Sequence, residues 1–119
     1  MNATVPEILT ALDNDSSEWA KTAAAVIRTR SPASLTVTAE HLNTAKEKTL
    51  NEVLDTDFIL AQRFVQRSDL YEGIRAAVID KKHLPEWEPE SMEDITEEHV
   101  KAYFTPTGYG LDDVKIFAA

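Results

Sequence analysis

Three histidines, His41, His83 and His99, and a surplus of carboxylates are the side chains here with the widest chemical repertoire. Helical metal sites bring ligands together at i, i+4 or within a short loop. These histidines lie on separate stretches, so convergence on one ion would be accidental and no metal is expected. Asp13-Asn14-Asp15 begins like a calcium loop, but it lacks the glycine at the sixth position and the glutamate at the twelfth, and reads instead as a helix boundary. Asp55 with Asp57, and Asp112 with Asp113, do not share a helical face and lie in acidic stretches, where a carboxylate stays ionised rather than poised as a general acid. There is no glycine-rich phosphate loop, no G-x-S-x-G elbow and no Ser/His/Asp arrangement. With no cysteine, thiolate nucleophiles, disulfides and Cys-based zinc sites are excluded. No catalytic residue is expected.

The remaining bounds agree. At 119 residues the chain is sized for one domain, and its net charge of −9 argues against a nucleic-acid or anionic-membrane surface, either of which needs clustered Lys and Arg. No apolar run approaches the ~20 residues of a membrane span, and no signal-peptide pattern opens the chain. The expectation is a soluble, cytoplasmic protein.

The element that organises the chain is the run from Ser68 to Pro89, SDLYEGIRAAVIDKKHLPEWEP. Asp69 and Glu72 have capping-box spacing, which predicts a helix starting at Asp69. Leu70, Tyr71, Ile74, Ala77 and Val78 recur at helical spacing, while Lys81, Lys82 and His83 place positive charge at the C-terminal end of the dipole. Pro85 ends the helix before it. Gly73 stands in a helix interior, where glycine costs about 1 kcal/mol against alanine, so a close neighbour is expected there.

Other helices can be read around this run. Thr4-Val5-Pro6-Glu7 opens a short helix ending near Asn14; Asp15 and Glu18 open a second, with Trp19, Ala23, Val26, Ile27 and Arg30 on its apolar stripe. Ser31-Pro32 opens a third, although Leu35-Thr36-Val37-Thr38 alternates like a strand; Leu35, Thr38, Leu42 and Ala45 share a helical face, and helix is the reading adopted. Thr49-Leu50-Asn51-Glu52 opens the longest helix, to about Arg67, whose apolar stripe spans roughly 160° where one neighbour needs only about 100°. Ser91 and Thr96 are candidate caps for short pieces in the acidic stretch after Trp87, Pro106, Gly108 and Gly110 end the helical order, and Ile116 and Phe117 suggest a docking tail.

The run D-L-Y-E-G-I-R-A-A-V-I-D-K-K-x-x-P-E-W resembles the C-terminal signature of the enoyl-CoA hydratase/isomerase (crotonase) superfamily, and most closely its 3-hydroxyisobutyryl-CoA hydrolase branch. Ser31-Pro32-Ala33-Ser34-Leu35-Thr36-Val37-Thr38, Thr49 to Leu54 and Pro85-Glu86-Trp87-Glu88-Pro89 resemble further segments of that branch, in matching order. In that family a backbone oxyanion hole and carboxylates on an N-terminal α/β domain act on an acyl-CoA thioester. The resemblance implies that this chain is the C-terminal helical domain, without that core. It also implies a CoA contact for Lys81, against the plainer reading of a lysine compensating a helix dipole. Asp69, Glu72, Gly73, Pro85 and Trp87 carry the resemblance as architectural residues.

The expected fold is all-α, a small bundle of about six helices forming a single domain over 1–119, with the helices from Thr49 and from Asp69 at its centre. No cofactor is expected, the parent enzyme taking an acyl-CoA substrate. The implied function is to cover the acyl-CoA site and mediate subunit contacts without catalysis, the alternative being a stand-alone α-helical interaction module. The expected partners are the missing N-terminal catalytic domain and, for this chain by itself, a second copy in a homodimer. No nucleic acid and no membrane are expected as partners.

Overall fold

The computed structural model describes residues 3–81 and 84–114, and among these it contains six α-helices and no strand. Helix α1 (Val5–Asp13) starts where Thr4 accepts the Glu7 N–H, with proline in its first turn. Helix α2 (Glu18–Arg28) is capped by Ser17 rather than Asp15. Asp15 instead accepts the Ser17 N–H at 2.8 Å, forming the tight turn that leads into the cap. Asp13 closes a two-bond pair with Arg28 at 3.0 and 2.6 Å, confirming the helix-boundary reading of Asp13-Asn14-Asp15. The buried face of α2 is Ala20 and Ala24, and Trp19 is 73% exposed. Small side chains let α2 approach α1 closely, which rotates the indole out of the expected stripe.

Ser31 caps α3 (Pro32–Ala45) through the Ser34 N–H, with Pro32 at its first position. The strand-like alternation of Leu35 to Thr38 yields to helix, and the Thr36 hydroxyl bonds back to the Pro32 carbonyl at 2.9 Å. Helix α4 (Leu50–Val65) opens on the Thr49 and Glu52 capping pair. Helix α5 (Ser68–Ile74) runs into a π turn over Arg75–Ile79, closed by the Asp80 N–H on the Arg75 carbonyl. The helix thus ends before Lys81, earlier than the sequence predicted. Thr96 and His99 cap α6 (Glu97–Phe104) reciprocally, and short 3-10 turns occupy Met92–Asp94 and Leu111–Asp113.

The core is built by α3, α4 and α6: Ala33, Val37, Leu60 and Tyr103 are buried, with Phe64, Ile95 and Phe104 against them. Phe64 and Tyr103 rings stand 4.8 Å apart, and the Arg67 guanidinium covers the Tyr103 ring. Arg63 holds the end of α6 by bonding the Thr105 and Pro106 carbonyls, and Gln62 bonds Tyr109 and Thr107. The centre is therefore not α4 with α5. Helix α6 brings the Tyr103 ring to Phe64 of α4 and the Phe104 ring to His41 of α3, whereas Leu70 and Ile74 of α5 and Val78 of the π turn are all exposed.

Much of the wide α4 stripe is also uncovered, with Leu50, Leu54 and Val65 exposed. The radius of gyration is 16.5 Å, against roughly 13–14 Å for a compact domain of this length. The accessible surface of 8749 Å² exceeds the roughly 6,500 Å² of a compact monomer of this mass by on the order of 2,000 Å². These helices do not close their own surface.

Candidate functional site

The five residues singled out from the sequence meet at one place. Behind the π turn, the segment from Leu84 to Glu88 returns across α5 as an extended strap, and α5 holds it with two carboxylates. Asp69, 5% exposed, accepts the Glu88 N–H at 2.8 Å through Oδ1 and the Ser31 hydroxyl at 2.5 Å through Oδ2. Glu72, one turn on, accepts the Glu86 N–H at 2.7 Å and a forked pair from Arg75 at 2.7 and 2.6 Å. Between them the Trp87 indole donates to the Thr29 carbonyl at 3.0 Å and lies over Gly73, where a Cβ would stand 3.3 Å from the ring. The close neighbour expected at Gly73 is thus the indole of Trp87. The extended strap backbone has N–H groups to spare, and α5 supplies acceptors at the spacing of one helical turn.

The expected capping box does not form. The N-cap of α5 is Arg67, without a side-chain bond, so Asp69 is already inside the helix and both carboxylates turn to the strap. The Arg75 guanidinium, then the Glu86 N–H, lower the Glu72 carboxyl to about 2, and the same pairing raises Arg75.

An apolar groove of about 840 Å³ opens beside this knot. One wall carries Leu70, Ile74 and Val78 of α5 and its π turn; the other comes from α1 and α3 with Ile8, Leu35 and Leu42; Pro85 and Trp87 also line it. Of the α3 face read from the sequence, Leu35, Thr38 and Leu42 line this groove and Ala45 does not. Among the described residues Asp69 is the one acid lining it, and its oxygens are engaged by Ser31 and Glu88.

Lys81 lies in an exposed turn past the end of the π turn and does not line the groove. Lys82, His83, Ile116 and Phe117 lie outside the described residues. Two pairings escaped the sequence. His41 on α3 places Nε2 2.6 Å from Asp57 Oδ1 on α4, so Asp57 is not merely solvated charge. The Ser31 to Asp69 bond joins residues 38 positions apart. Both depend on how helices pack, and neither leaves a local spacing signal; only Glu72 with Arg75, at i, i+3, was visible in principle. Among the described residues no group of three or more His, Asp or Glu could hold a metal, and no helix is long and apolar enough to cross a membrane.

The enoyl-CoA hydratase/isomerase family model matches residues 1–104. The chain is 39% identical over 105 residues to the mitochondrial 3-hydroxyisobutyryl-CoA hydrolase of Rattus norvegicus, covering 88% of this chain and 27% of the relative. It is 35% identical over 117 residues to small ribosomal subunit protein mS47 of Arabidopsis thaliana, covering 92% of this chain and 28% of that one. In structure it is similar to a carnitinyl-CoA dehydratase from Mycobacterium thermoresistibile, with a TM-score of 0.83 and 34% identity over 92% of this chain and 32% of that one. This chain thus spans about a quarter to a third of the length of these relatives. A match over nearly all its helices places the chain in the enoyl-CoA hydratase/isomerase family, as an all-α segment related to the 3-hydroxyisobutyryl-CoA hydrolases.

Proposed function

We propose that this chain is the helical C-terminal domain of a 3-hydroxyisobutyryl-CoA hydrolase-like enzyme, where it covers the acyl-CoA site and contributes to subunit contacts without performing the chemistry. The observation that carries this reading is the match of residues 1–104 to the family, although the chain spans only 27% of the rat relative. The unclosed surface supports it, because helices shaped to lie on a catalytic core leave apolar faces open without one. No oxyanion donor pair can be argued from the sequence, and a single missing donor costs on the order of 10²–10³ in rate. The relatives named mitochondrial support an organellar parent rather than the cytoplasmic one expected from the sequence.

The chain alone is expected not to turn over 3-hydroxyisobutyryl-CoA or enoyl-CoA esters; turnover abolished by a point substitution would overturn this. A chimaera tests the covering role: this chain replaces the matching segment of the rat hydrolase. Activity well above that of the segment-deleted enzyme supports the reading. A folded chimaera no more active than the deletion overturns it. That result would favour a stand-alone interaction module, the reading supported by the similarity to a protein named as a ribosomal subunit.

A further inference from the structure

We propose that the knot on α5 is a latch for α1 and α2: it fixes the turn from α2 to α3, and opening it lets the α1–α2 pair pivot on that turn as one body. The latch grips the turn on both sides of Arg30. The Trp87 indole of the strap donates to the Thr29 carbonyl at 3.0 Å, and the Ser31 hydroxyl donates to Asp69 Oδ2 at 2.5 Å. Thr29 is the C-cap of α2 and Ser31 the N-cap of α3. The two bonds therefore set the direction in which one helix ends and the next begins. Asp69 Oδ1 also accepts the Glu88 N–H of the strap, so strap and turn hang on one carboxylate.

The knot, rather than the core, is what holds the pair. The buried cluster of α3, α4 and α6 contains no side chain from α1 or α2. Of the residues in these two helices only Val5, Ala20 and Ala24 are buried, while Ile8, Trp19 and Val26 stand exposed. A segment with so little buried apolar surface is the first to part from its neighbours. The pair nevertheless has its own tie, the Arg28 fork on Asp13 at 3.0 and 2.6 Å, which keeps the ends of α1 and α2 together. At the other end of α1 the Asn43 amide of α3 donates to the Ala3 carbonyl at 3.2 Å, a neutral bond weaker than those to the Asp69 carboxylate. Val5, Ile8 and Ile27 of the pair line the groove opposite Leu70, Ile74 and Val78, and Trp87 lies in the same lining. A pivot on the turn thus changes the width of the groove, and α5 controls it from the facing wall.

The absence of cysteine allows two introduced thiols to be spin-labelled without background. Trp19→Cys on α2 with Lys101→Cys on α6 reads the position of the pair against the core, and Glu7→Cys with Trp19→Cys reads the pair itself. Trp19 lies about 15 Å along α2 from Thr29, so a pivot of about 20° moves it by about 5 Å. In the full chain both distances are expected to be narrow. Trp87→Phe keeps a ring over Gly73 but removes the bond to Thr29, and should broaden the Trp19 to Lys101 distance. Adding Asp69→Ala should broaden it further, by about 5 Å, with the Glu7 to Trp19 distance unchanged and helical circular dichroism retained. A Trp19 to Lys101 distance that is already broad with the latch intact, or that stays narrow in both variants, overturns the proposal. So does a change in the Glu7 to Trp19 distance, which would mean that the pair comes apart instead of pivoting. Should the double variant lose its helices, Trp87→Phe decides the matter by itself. These distances are read on this chain alone, so they fail or hold separately from the chimaera.

Discussion

Gly73 and Trp87 show how one contact decides the sign of a substitution. Alanine in a helix is ordinarily better than glycine by up to about 1 kcal/mol. At position 73 the added methyl would press on an indole held by its bond to Thr29. Gly73→Ala is therefore expected to destabilise the wild type in urea unfolding, but to stabilise a Trp87→Ala background by about 0.5–1 kcal/mol. Equal effects in both backgrounds would show that the ring moves aside freely. Glu72 carries a second residue-scale prediction. Its carboxyl, near 2 in the folded chain against about 4.3 in an unfolded one, contributes stability that is complete above the unfolded value and is lost as pH falls through the folded one. Glu72→Gln removes that contribution. Melts of the variant and the wild type should differ most at neutral pH and converge between about pH 5 and pH 2; a constant difference across that range would refute the linkage.

At the scale of elements, the strap is an extended segment converted into a fixed one by a neighbouring helix. Asp69→Ala leaves the Glu88 N–H and the Ser31 hydroxyl without their acceptor, with an expected cost of about 1–3 kcal/mol. The loss should be local first. In a Trp19→Phe background Trp87 is the only tryptophan, and its emission should shift to the red in Asp69→Ala at urea concentrations where helical circular dichroism is still intact. Coincident transitions would show that strap and helices open as one unit. This element also shows what the sequence could and could not convey. Helix starts at Thr4, Ser31, Thr49 and Thr96 were legible because a cap is a local bond between residues three apart. The same spacing at Asp69 and Glu72 misled, since a carboxylate near a helix start serves equally well as an acceptor for a distant backbone, and only the path of the returning chain distinguishes the two uses. The special standing of Gly73, Pro85 and Trp87 was visible through the family pattern, but their meeting point was not.

For the whole molecule, the number of helices followed from caps and periodicity, whereas the choice of central helices did not. Periodicity says that Leu70, Ile74 and Val78 want cover; it does not say whether that cover comes from this chain. The core went to α3, α4 and α6, and α5 kept its apolar ridge open. Ile74 stands about half exposed on that ridge, so Ile74→Glu is expected to leave the helical circular dichroism of this chain intact and its urea stability within about 0.5 kcal/mol of the wild type, as at other surface positions. A loss of about 2 kcal/mol or more would mean that the ridge along α5 is covered when this chain folds.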